Sequence, residues 1–103
     1  MRVIIVSAVL ASAAGVAAAQ TIGPQRIPPS GEMLGRNCVV CHGQKADGQG
    51  AVPALRTLSV DQIVAAMGDF RSGKRRGTIM NRIAEGYSAD EDQLVARYLV
   101  TLK

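Results

Sequence analysis

The apolar positions of this chain fall into four separated groups, each with its own spacing. Val3 to about Val16 is a nearly unbroken apolar run rich in alanine. Gln20 to Pro29 carries Gly23, Pro24, Pro28 and Pro29, a composition that predicts an extended arm. Ser30 is placed as an N-cap, predicting a helix to about Val40 with Met33, Leu34 and Val40 toward one side. From Gly43 to Leu58 glycines and Pro53 break any period, so a long loop is expected. Ser59 and Gln62 form a capping box ahead of Ile63, Val64, Met67 and Phe70, which recur at helical spacing until Gly73. A short helix is predicted from Met80 to Glu85, stopped by Gly86. A second capping box, Ser88 with Glu91, precedes the stripe Leu94, Val95, Tyr98, Leu99 and Leu102. Asp90, Glu91 and Asp92 suit the positive end of that helix. No strand-like alternation and no internal repeat occurs, so the predicted class is all-α.

The first group reads differently from the rest. Met1-Arg2, the apolar run and Ala17-Ala18-Ala19 follow the order of a secretory signal with a small-residue cleavage site. The run is shorter than the about 20 residues of a comfortable membrane span. Residues 1–19 are therefore expected to be a cleaved signal, and residues 20–103 the functional domain in the periplasm. Those 84 residues stand near the lower size at which an apolar core alone holds a fold. With one Phe, two Tyr and no Trp, large core-filling side chains are scarce. A long loop in so small a domain also needs something to wrap around.

Charge excludes one class of partner. The formal net charge is +4, and +3 once Arg2 leaves with the signal. That is too weak, and too poor in aromatics, for nucleic acid, but it suits docking to an acidic surface.

The chemistry concentrates at Cys38-Val39-Val40-Cys41-His42. C-x-x-C-H reads as an attachment site for haem c. Two thiols add across the two vinyl groups, and the two-residue gap sets both sulfurs along one edge of the ring. The next residue, His42, is the only histidine in the chain and is the expected iron ligand. A thioredoxin-like pair needs a βαβ context that is missing, and structural zinc needs four ligands where this segment has three. For the sixth iron position Met33, Met67 and Met80 are candidates. Met33 sits in the helix leading into the motif. Met67 sits on an apolar stripe, where methionine is commonly core filler. Met80 follows irregular backbone and is favoured, with Met67 in reserve, because Met/His ligation is typical of electron-transfer haems. Near Pro53 a carbonyl is available to accept from the second nitrogen of His42, and a plain turn proline fits the spacing equally well.

Taken together, these residues resemble class I cytochromes c from about Ser30 to Leu102. The resemblance implies that the first and last helices cross at Leu34 and Tyr98, and that Pro53 supports the haem histidine. The stretch Met67-Gly68-Asp69-Phe70-Arg71-Ser72-Gly73-Lys74-Arg75, followed by Thr78-Ile79-Met80-Asn81-Arg82-Ile83-Ala84-Glu85-Gly86-Tyr87, is similar to the single-haem cytochrome subunit of flavocytochrome c sulfide dehydrogenase. That resemblance implies Met80 as the iron ligand and a sulfide-oxidising flavoprotein as electron donor, with a further downstream acceptor. Arg71, Lys74, Arg75 and Arg76 are expected to steer docking. The alternative is a free-standing electron shuttle with the same haem. A third reading is an enzyme or gas sensor with an open iron position.

Overall fold

A computed structural model describes residues 27–102 and, upstream of them, Gly15 and Gly23 alone. The expected signal segment, residues 1–19, lies outside the described residues apart from Gly15. Four helices follow in order: α1 (Gly31–His42), α2 (Val60–Ser72), α3 (Met80–Glu85) and α4 (Ala89–Leu99). Among the described residues the only strand-like pairing is an isolated bridge between Gln49 and Val52. None of these helices is long and apolar enough to cross a membrane.

Local sequence sets the helix starts. The Ser30 side chain accepts from the Met33 amide at 3.1 Å. Both capping boxes form with reciprocal bonds: Ser59 with Gln62, and Ser88 with Glu91. Each supplies acceptors to amides that a helix cannot satisfy internally. Gly73 ends α2 in the left-handed region at φ 80°, which glycine adopts without a Cβ clash.

Packing forms a chain of contacts. α1 packs on α4, α4 on α2, and α2 on α3, whereas α1 and α3 do not pack on each other. Ile63, Val95, Ala96 and Leu99 form the buried core with Ala46, a loop residue that is completely buried at φ 53°. Leu34, Val39, Leu55, Tyr87 and Tyr98 close around them.

At the α1–α4 crossing Tyr98 stands against Gly35, whose missing side chain makes room for the Tyr98 ring. One turn earlier Gly31 lies against the Leu94 carbonyl in the same way. Leu34 packs against the core beside this crossing. Met33 and Val40, expected with Leu34 on one side, are 57% and 73% exposed. The small residues, spaced by one turn, let the backbones approach, and Leu34 and Val39 supply the apolar contacts of α1 to the core.

Candidate haem-binding site

α1 runs two residues beyond the predicted end and so takes in the whole Cys38–His42 motif. Gly43 stops it at φ 95°, its amide bonded to the Val39 carbonyl. Helical spacing of three and four then puts Cys41 and His42 on the same side of the helix as Cys38. Cys38 is half-buried against the core, Cys41 is exposed, and the two are not joined to each other.

His42 is 8% exposed and its Nδ1 lies 2.6 Å from the Pro53 carbonyl oxygen. A carbonyl only accepts, so Nδ1 carries the proton and donates. In the neutral ring Nε2 is then the unprotonated nitrogen, the form that binds a metal. The loop is built to deliver that carbonyl. The Gly48 amide donates to the His42 carbonyl at 2.6 Å, and Gln49 and Val52 exchange two backbone bonds. Gly48 has φ 90°, and a Cβ there would come within 3.0 Å of the Ala54 nitrogen and the Val52 oxygen. Only glycine lets the chain fold back this closely. The carbonyl that His42 Nδ1 meets is that of Pro53 itself.

The other chemistries do not fit. Burial pushes the Cys38 thiol above its ordinary value, opposite to the lowered values of reactive dithiols. Among the described residues no group of three or more His, Cys, Asp and Glu converges to hold a metal ion. The donor set does suit a haem: two unpaired thiols three residues apart, and one oriented imidazole with a free nitrogen. Val40 on α1, Ile79 at the N-cap of α3 and Ile83 within α3 are exposed apolar side chains suited to a large apolar ring.

The three methionines occupy different settings. Met33 is mostly exposed on α1, and Met67 is 7% exposed within α2. Met80 is the half-buried first residue of α3. The N-cap of α3, Ile79, makes no side-chain cap bond.

Sequence reasoning missed two polar networks beside Met80. The Asn81 amide bonds the Phe70 and Arg75 carbonyls at 2.9 and 2.8 Å and accepts from the Gly77 amide at 2.9 Å. Arg71 was expected among the docking cations but turns inward. It donates to the carbonyls of Tyr87 at 3.0 Å and Ala84 at 3.4 Å, and pairs with Asp92 at 2.8 Å. Asp92 is wholly buried, and the two charges meet off-line as an ion pair rather than an aligned hydrogen bond. Neither group carries a local sequence signal for this role.

Residues 30–103 match the family model for cytochrome c. Over 72 residues the chain is 36% identical to the cytochrome subunit of sulfide dehydrogenase of Chlorobaculum tepidum, covering 70% of this chain and 66% of that subunit. It is 33% identical over 78 residues to cytochrome c-554(547) of Halothiobacillus neapolitanus, covering 65% of this chain and 86% of that protein. It is 31% identical over 72 residues to cytochrome c-553 of Helicobacter pylori, covering 68% and 75%. With its all-α fold and its single C-x-x-C-H motif, the chain belongs to the cytochrome c family, as a class I electron-transfer cytochrome carrying one covalent haem c.

Proposed function

We propose that this cytochrome is the haem subunit that takes electrons from a sulfide-oxidising flavoprotein in the periplasm, with residues 1–19 serving as its export signal. The observation that carries the site assignment is the 2.6 Å bond from His42 Nδ1 to the Pro53 carbonyl. It orients the ring and frees Nε2 on the same helix side as Cys38 and Cys41. In this reading Cys38 and Cys41 would tether the haem through thioethers, and His42 and Met80 would hold its iron. When bound, the haem supplies a reversible one-electron change at iron. The protein's part would be to supply both iron ligands, His42 and Met80, so that the centre passes electrons rather than binding substrate. The partner assignment is supported by the similarity to the sulfide dehydrogenase subunit.

Two measurements test this. The oxidised holoprotein is expected to show a weak long-wavelength band from sulfur on iron. Met80→Ala should abolish it and Met67→Ala should keep it; the reverse pattern moves the ligand to Met67. Affinity purification of the native protein is expected to bring down a flavin-containing partner. A free-standing shuttle is the second reading, supported by the similarity to cytochromes c-554(547) and c-553. It would be favoured by a protein that purifies alone and exchanges electrons with several acceptors.

A further inference from the structure

We propose that Asn81 is the positioning residue for the sixth ligand: its side-chain amide clamps the loop between α2 and α3 and so fixes where Met80 stands. This rests on Met80 being that ligand.

The segment from Gly73 to Ile79 is exposed, non-helical backbone. α3 is six residues long and its N-cap contributes no side-chain bond. So short a helix does not hold itself in place. The tie comes from the residue directly after Met80. Asn81 Nδ2 donates to the Phe70 carbonyl in the last turns of α2 and to the Arg75 carbonyl within the loop. Asn81 Oδ1 accepts from the Gly77 amide. One side chain therefore joins the end of α2, two points of the loop and the start of α3. The direction of the amide is fixed by its partners, because two carbonyls need donors and one N–H needs an acceptor. Gly77 completes the closure: a Cβ there would lie 3.0 Å from the Phe70 ring and 3.3 Å from Met80 Cβ.

The consequence is specific to ligation. With the clamp intact, Met80 has one position. Without it, the loop samples positions in which the methionine is detached, and any competing ligand gains access in proportion to their population. Aspartate is the sharper substitution than alanine. It keeps an acceptor for Gly77 but turns oxygen lone pairs toward the Phe70 and Arg75 carbonyls.

The test uses ferric holoprotein titrated with imidazole, which competes for the sixth position. Loss of two or three hydrogen bonds of ordinary net strength corresponds to roughly a tenfold to hundredfold change in the attached-to-detached ratio. Asn81→Ala and Asn81→Asp are therefore expected to raise the apparent imidazole affinity about tenfold or more, with a weaker sulfur–iron band and a lowered reduction potential. Ser59→Ala, which removes a helix cap elsewhere, should lower stability and leave imidazole affinity unchanged. Unchanged affinity and band in both Asn81 variants would overturn the proposal. If neither variant assembles, hydrogen exchange of the Gly77 amide in the wild-type holoprotein decides: protection supports the clamp, and exchange at the rate of free peptide sinks it. A wild-type band that is absent, or that survives Met80→Ala, overturns the Met80 assignment itself and the proposal with it.

Discussion

At the scale of single residues, the buried carboxylate of Asp92 is the most demanding feature. Its side chain is wholly buried while its partner Arg71 remains 31% exposed. Breaking a buried ion pair usually costs about 3–5 kcal/mol, because the surviving charge loses its partner in a poor solvent. The partial exposure of Arg71 lets water take over some of that charge, so a smaller figure applies. Asp92→Ala is expected to destabilise the holoprotein by about 2–3 kcal/mol in urea unfolding. Arg71→Ala should cost at least as much, since it also strands the Ala84 and Tyr87 carbonyls and leaves Asp92 as the buried charge. The double variant should cost less than the two single losses added together. Additive losses would show that the two side chains act independently. The pair could not be read from sequence: Asp92 stands in the first turn of a helix, where an acid is expected for its dipole alone.

At the scale of elements, two glycines at helix interiors make opposite predictions. Glycine in a helix is ordinarily worse than alanine by about 1 kcal/mol. At Gly68 a Cβ would meet nothing within 4 Å, so Gly68→Ala should stabilise the protein by about 0.5–1 kcal/mol. At Gly35 the Cβ would run into the Tyr98 ring. The helix gain is then outweighed by overpacking, and Gly35→Ala should lose about 1–3 kcal/mol as the α1–α4 crossing is forced apart. Urea midpoints of the two variants, moving in opposite directions, are the check. Destabilisation at Gly68 would place another group, the haem foremost, against that face of α2. The helices themselves were legible because caps and periods are local: Ser30, Ser59 and Ser88 mark their starts as expected. The α1 packing face was legible only in part: Leu34 packs on the core as expected, while the contacts at Gly31 and Gly35 depend on the absence of side chains.

For the whole molecule, the cations at the end of α2 and in the loop before Met80 divide into two kinds. Arg71 is tied into the fold, and Arg75 lies over the Phe70 ring at 5.1 Å. Lys74 and Arg76 are exposed and make no ion pair among the described residues. On the proposed reading of a partner protein as electron donor, they would steer an acidic surface of that partner. The Lys74→Glu/Arg76→Glu variant is expected to slow electron transfer from that partner about tenfold at low ionic strength, with the difference shrinking as salt screens the charges. Stopped-flow rates across a salt series measure this. An association rate indifferent to salt in the wild type would remove the steering role.

The sequence by itself determined the all-α class, the helix starts, the attachment motif and the cofactor it holds. All of these are written in spacings of a few residues, where the period of a helix or the geometry of two thioethers dictates residue type. Only the tertiary structure decided which carbonyl orients His42, since Pro53 meets it from eleven positions further along the chain. The same holds for the turning of Arg71 inward to Asp92, the closing of Tyr98 over Gly35, and the clasp of Asn81 on the loop before Met80. These pairings join positions that no local period connects. They exist because packing the helices and the loop against one another leaves polar groups and gaps that particular side chains, distant in sequence, are the right length to fill.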